Sequence, residues 1–171
     1  LIDAGIEEQS KNRNEYVVKE IISYHDEESG SDITVLPADS YEVTAMVDFG
    51  TKILGTQNAT MKNLNEFKDN FSNARTFSFL HEIEMLVDNG LIKGGDLNNA
   101  IVYVDKELDE ETMSKLKKAF NKDKISVKPN GILDNLTLHY PNEAARHKLL
   151  DVVGDLALIG TRIKGKVIAN K

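Results

Sequence analysis

The stretch SYEVTAMVDF, residues Ser40–Phe49, decides the fold class. Tyr41, Val43, Ala45, Val47 and Phe49 alternate with Glu42, Thr44 and Asp48, the period-two pattern of a strand with one face buried and the other in water. A solvated face belongs to an antiparallel sheet more readily than to a parallel one. Working outward, Glu15–Tyr24 carries Tyr16, Val17, Val18, Ile21 and Ile22 and reads as one strand. A polar turn around Gly30 in Asp26–Ser31 then returns the chain through Ile33–Leu36 as a hairpin. Gly55–Met61 supplies a further strand, whereas Leu1–Gly5 reads as the last turn of a helix closed by glycine and Ile6–Asn14 as a connection.

Beyond residue 62 the apolar period lengthens to that of a helix. Leu64, Phe67, Phe71 and Ala74 mark one short amphipathic helix. Leu80, Ile83, Leu86 and Val87 mark a second, stopped by Asn89-Gly90. Between them Arg75-Thr76-Phe77-Ser78-Phe79 places two aromatics beside a hydroxyl and a cation, for which a core role is the simpler reading. After a Gly94-Gly95 turn comes a strand at Ala100–Val104. Asp109 then opens a helix through Met113, Leu116 and Phe120 whose Lys115, Lys117 and Lys118 face reads as solvated. Lys124–Lys128 reads as a short strand, Pro129–Tyr140 as a loop and Ile163–Ala169 as the closing strand.

The composition is that of an ordinary globular protein, 40% hydrophobic and 29% charged, and 171 residues suffice for one domain with a proper core. A net charge of −7 argues against a phosphate-backbone binder, so no nucleic-acid partner is expected. With no cysteine, disulfides and thiolate metal sites are excluded and any zinc must be held by His and carboxylate. No apolar run approaches the ~20 residues of a membrane span and the start lacks a signal-peptide pattern, which makes a cytoplasmic, non-transmembrane protein the expectation. There is no initiator methionine, and the chain stops directly after a strand-like segment, so both ends read as cut.

The chemistry-bearing stretch is NEAARHKLLDVVGDLALIG, Asn142–Gly160. His147, Asp151 and Asp155 recur every four residues and so form one stripe on a helix. Leu149, Leu150, Val152, Val153, Leu156, Leu158 and Ile159 leave little of that helix suited to water, so the stripe is expected to be buried or to line a cleft. A buried carboxylate needs hydrogen bonds or a cation. Both readings stand on spacing alone, because His and Asp give only two ligands where a catalytic zinc takes about three. His25, His81 and His139 are candidates for a third, and none has motif spacing.

ARTFSF at Ala74–Phe79, GLIKGGDLNNAIV at Gly90–Val102 and RHKLLDVVGDLALIG at Arg146–Gly160, in that order, resemble the UDP-3-O-acyl-N-acetylglucosamine deacetylases, the LpxC family. The resemblance implies a zinc enzyme of the committed step of lipid A synthesis, with residues 15–171 its second domain and residues 1–14 the tail of the first domain and linker. It implies that His147 and Asp151 are two of three zinc ligands and that Lys148 contacts the substrate's diphosphate or carbonyl region. Asp155 would orient and charge a catalytic histidine, and the Thr76 hydroxyl would help stabilise the oxyanion. Phe77 and Phe79 would flank the sugar and nucleotide side of the cleft, and Ile83, Ile92, Ala100 and Val102 would line a passage for the 3-O-acyl chain.

The resemblance implies that the third zinc-binding histidine and the general-base glutamate belong to the first domain and that the catalytic histidine should follow a glycine a few residues past Lys171. The isolated chain is therefore expected to be inactive. Asp96 replaces an expected serine, and an insertion at about 105–140 is reminiscent of members fused to a 3-hydroxyacyl-carrier-protein dehydratase. The resulting expectation is an α+β domain, a mainly antiparallel sheet with helices packed on one face in a two-layer sandwich, plus a small βαβ-like insert. The substrate UDP-3-O-acyl-N-acetylglucosamine and the family's first domain are the expected partners. A non-catalytic module that holds an acyl chain or a partner protein is the alternative.

Overall fold

The structure, a computed structural model, describes residues 2–5, 7–89, 99–134 and 136–171. Along the chain the elements are β1 (Glu15–Val17), β2 (Ile22–Asp26), β3 (Ser31–Leu36), β4 (Tyr41–Val47) and β5 (Gln57–Met61), then a 3-10 turn (Leu64–Glu66) running into α1 (Phe67–Asn70). They continue as β6 (Thr76–Phe79), α2 (Leu80–Asp88), β7 (Ala100–Tyr103), α3 (Glu110–Phe120), α4 (Glu143–Ala157) and β8 (Arg162–Asn170). This is an α+β fold, as expected. The main sheet has the order β2-β3-β8-β4-β5, with β1 beside the start of β8.

Alternation in β4 works as the sequence predicts. Val43, Ala45 and Val47 are buried on the face that α4 covers, with Ala59 and Met61 of β5 and Val167 of β8 beside them. Ala145 and Leu149 of α4, flanked by Val152, Val153 and Leu156, complete this core with Phe71. Fully buried side chains such as Met61 and Leu149 stabilise the packing by about 1.5–3 kcal/mol each. The other face of β4 and β5 is polar, with the Thr44 and Thr60 hydroxyls hydrogen-bonded at 3.0 Å.

Three expectations change. The single strand Glu15–Tyr24 is two, because β1 runs parallel to the start of β8 whereas β2 forms the hairpin with β3. The closing strand, β8, lies at the centre of the sheet, antiparallel to β3 and parallel to β4. Lys124–Lys128 forms no strand and contributes only an isolated bridge, Val127 to Leu133. The C-terminal end of the apolar helix is not shielded, since Leu158 and Ile159 lie past the end of α4 and are 85% and 59% exposed.

β1 and β3 share one edge of β8, β1 pairing with Arg162–Lys164 and β3 with residues 166–170. Gly165 is the changeover point. A Cβ there would lie 2.5 Å from Val18 Cγ2 and 3.1 Å from the Leu36 carbonyl, so the two neighbours meet over a residue without a side chain.

A second layer carries the β-α-β unit. β6 and β7 pair in parallel with Thr76 opposite Ala100, and α2 leads across from one towards the other. The expected Gly94-Gly95 turn, Ile92 and Asp96 lie outside the described residues. α3 caps the unit from within the 105–140 segment, its Leu116 packed with Leu80, Ile83, Val102 and Leu133. Asp109 caps this helix by accepting from Thr112 N at 2.7 Å, and Asn121, left-handed at φ 51°, ends it.

Candidate metal and substrate site

α4 and β6 meet where Asn73–Thr76 crosses the first turns of the helix. Glu143, in the first turn, is fully buried and accepts four hydrogen bonds. Three come from Arg75, namely its backbone N–H at 3.0 Å, Nε at 2.8 Å and Nη2 at 3.0 Å, and the fourth from His139 N–H at 2.7 Å. Burial pushes the Glu143 carboxyl up, but these donors together outweigh it and hold the group below the usual carboxylate range. The N-terminal end of a helix also favours a negative charge.

One turn on, His147 Nδ1 lies 3.2 Å from the Ala74 carbonyl oxygen. A carbonyl only accepts, so Nδ1 carries the proton and Nε2 is left as the lone-pair nitrogen. Nε2 faces Asp151 Oδ1 at 3.6 Å. Two ligands at about 2.0–2.1 Å from one zinc ion in tetrahedral geometry stand about 3.3–3.4 Å apart, so this imidazole and carboxylate fit a shared metal with a small adjustment. The other carboxylate oxygen, Asp151 Oδ2, accepts from Lys148 Nζ at 3.0 Å. The Lys148 ammonium also sits 5.6 Å from the Phe77 ring centroid.

His147, Asp151, Lys148 and Phe77 are thus brought together, with exposed Thr76 adjoining the same crossing. Asp155 continues the stripe and is exposed. Phe77 and Phe79 belong to an edge-to-face group with Phe49, whose ring lies 5.6 Å from each. Phe79 is buried and Phe77 half-buried in that group. Ile83 and Val102 are buried against α3, and Ala100 is half-buried at the start of β7. Ile92 lies outside the described residues.

No candidate third ligand joins the pair. His25 bonds Asp32 on the β2–β3 hairpin, His81 bonds Asp105, and His139 Nδ1 donates to the Asn73 carbonyl at 3.0 Å. Among the described residues no group of three His, Asp or Glu could hold a metal ion. An open groove of about 370 Å³ lies at the other end of α4, between Tyr41, Leu156 and Ile163, and includes none of these residues.

Sequence reading missed Arg75 and Glu143 as a pair. Glu143 carries a weak signal, an acid in the first turn of a helix, but that position ordinarily faces water. Its partner is 68 residues away, and no local spacing connects them.

A profile of the LpxC family, described as UDP-3-O-acyl N-acetylglycosamine deacetylase, matches residues 1–125 and 111–171. The chain is 43% identical over 167 residues to a protein named bifunctional enzyme LpxC/FabZ from Bacteroides thetaiotaomicron, covering 98% of this chain and 36% of that one. It is 44% identical over 174 residues to the protein of the same name from Chlorobaculum tepidum, covering 100% of this chain and 37% of the relative. A UDP-3-O-acyl-N-acetylglucosamine deacetylase from Geotalea uraniireducens is 35% identical over 170 residues, 99% of this chain and 47% of the relative. The chain therefore spans about half, or less, of the length of these curated relatives. With the profile matched along the whole chain and the paired imidazole and carboxylate on α4 beside β6, the chain belongs to the LpxC family of UDP-3-O-acyl N-acetylglycosamine deacetylases.

Proposed function

We propose that this chain supplies the α4 half of a zinc-dependent deacetylase that hydrolyses the N-acetyl group of UDP-3-O-acyl-N-acetylglucosamine in lipid A biosynthesis. The observation that carries this reading is the convergence of His147 Nε2 and Asp151 Oδ1, 3.6 Å apart, with Nε2 freed by the bond from Nδ1 to Ala74. The names of the relatives support the substrate, and the absence of cysteine restricts a zinc site to His and carboxylate.

Bound zinc would lower the pKa of a water and polarise the acetamide carbonyl. The residues of this chain have the remaining tasks. Lys148, tethered to Asp151 Oδ2, offers its ammonium to the anionic diphosphate or the carbonyl region of the substrate. Thr76 offers a hydroxyl donor to the developing oxyanion. Asp155, two turns from His147, would orient and charge a histidine from elsewhere in the parent. The third ligand, the general base and that histidine belong to parts of the parent outside these 171 residues, so the chain alone does not turn over. Phe77 and Phe79 flank the sugar and nucleotide side, and Ile83, Ile92, Ala100 and Val102 form the acyl passage in this reading. A cytoplasmic location belongs to the same reading. The 43% and 44% identities to the bifunctional relatives, against 35% to the Geotalea deacetylase, support a parent of the bifunctional kind.

The test is acetate release from UDP-3-O-acyl-N-acetylglucosamine by the complete protein. Activity should disappear on chelation, return with zinc and be absent in His147→Ala. No turnover by the zinc-loaded complete protein would favour a binding module instead, and activity surviving both treatments would refute the metal mechanism.

A further inference from the structure

The N–H that Glu143 accepts and the C=O to which His147 donates belong to one peptide group, the bond between Ala74 and Arg75. Glu143 and His147 are one helical turn apart, on the same face of α4. The helix therefore grips this single peptide from both of its ends. Glu143 Oε1 takes the N–H at 3.0 Å, and His147 Nδ1 meets the oxygen at 3.2 Å. The Arg75 side chain locks the carboxylate in place through Nε and Nη2, and Nη2 also donates to the Thr137 carbonyl at 2.7 Å. Neighbouring contacts hold the same segment, with Asn73 accepting from His139 Nδ1 at its carbonyl and from the Tyr140 hydroxyl at its side chain.

We propose that Glu143 is a positioning residue for His147, acting through the Ala74–Arg75 peptide as a carboxylate–peptide–histidine relay. A charge-assisted acceptor on the N–H polarises the amide and strengthens its carbonyl as an acceptor, because hydrogen bonds in a chain reinforce one another. The strengthened carbonyl keeps the proton on Nδ1, against the usual preference for Nε2, and leaves the Nε2 lone pair facing Asp151. Metal-binding histidines generally have their other nitrogen fixed by a carboxylate or a backbone carbonyl, and here both are used in series. The same clamp sets where Thr76 begins, since it is the residue directly after the gripped peptide.

The metal consequence rests on the zinc reading of His147, whereas the tautomer does not. Both are measured in the complete protein, the tautomer in metal-free protein by imidazole ¹⁵N NMR at a pH where the ring is neutral. Zinc affinity is measured by competition with a chelator. Wild type should hold His147 as the Nδ1–H tautomer. Glu143→Gln should move it towards Nε2–H and lower zinc affinity by roughly 10- to 100-fold, the range for losing an outer-shell partner. If Glu143→Gln does not fold, Arg75→Lys decides, because it keeps the backbone N–H bond and the charge but loses the guanidinium fork, and a smaller shift in the same direction is expected. An Nε2–H tautomer in wild type, or a folded variant with tautomer and zinc affinity unchanged, overturns the relay. Absence of acetate release in wild type with the tautomer shift intact would sink the deacetylase reading and leave the relay standing.

Discussion

His147 Nε2 and Asp151 Oδ1 face each other across 3.6 Å on successive turns of α4, while Asp151 Oδ2 holds Lys148 Nζ at 3.0 Å. In the proposed reading, one carboxylate divides its two oxygens between a metal-facing and a substrate-facing task. Asp151→Asn and Lys148→Met should separate them in the complete protein. Asp151→Asn should lose zinc and activity together. Lys148→Met should keep zinc and lower kcat/KM by roughly 10- to 100-fold, the equivalent of one charge-assisted hydrogen bond of about 1.5–3 kcal/mol. Zinc content beside steady-state kinetics checks this, and zinc loss in Lys148→Met would contradict the division.

Glu143 makes stability acid-sensitive. Its carboxyl lies below the ordinary value of 4.5 in the folded protein, so the unfolded chain binds that proton more readily. The contribution is intact above pH 4.5 and is lost as pH falls through the folded-state value. Glu143→Gln should cost about 3–5 kcal/mol at neutral pH, because it breaks an ion pair whose carboxylate is fully buried and leaves the half-buried Arg75 cation poorly paired. Its penalty should shrink as pH falls below 4.5. Urea denaturation of both proteins across that range is the measurement, and a pH-independent difference would count against the assignment.

Gly165→Ala should destabilise the protein by about 1–3 kcal/mol, since the added Cβ falls 2.5 Å from Val18 Cγ2 and 2.9 Å from Val18 Cβ. Combining it with Val18→Ala should cost less than the sum of the two single changes, because the smaller side chain removes the clash. Strict additivity in denaturant midpoints would place the strain elsewhere, for example at the Leu36 carbonyl.

Ile83 is 5% exposed and packs with Leu80, Val102, Leu116 and Leu133. Ile83→Ala should therefore lower stability by about 2–5 kcal/mol through the cavity it leaves. A thermal melt unchanged by the substitution would contradict this packing, and an altered acyl-length preference in the complete protein would support the place of Ile83 along the acyl passage.

Much of the architecture was legible along the chain. The alternation through Val43, Ala45 and Val47, the turn at Gly30, the Asp109 cap and the apolar run of α4 are governed by the residue and its near neighbours, which is where periodicity and capping act. The His147, Lys148 and Asp151 group was legible for the same reason, since positions three and four apart on a helix are adjacent wherever the helix lies. Of the β-α-β unit, α2 and β7 were legible as a helical period and a strand, whereas β6 was not read as a strand and the unit itself was expected from the family resemblance.

The amino-acid sequence by itself determined most of the strands and helices, the apolar face of β4 and which polar side chains share the stripe on α4. Only the tertiary structure decided that β8 is the centre of the sheet, that Val18 and Leu36 meet over Gly165, that Leu158 and Ile159 are exposed and that Glu143 is a buried partner of Arg75. The physical reason is range. Backbone periodicity and capping act over a few residues, whereas a parallel pairing or a buried ion pair forms between segments brought together by the burial of apolar surface, which favours compactness without naming partners. The Ala74–Arg75 peptide is held from both sides by one helix because two such segments cross there, and 68 residues of chain separate Arg75 from Glu143.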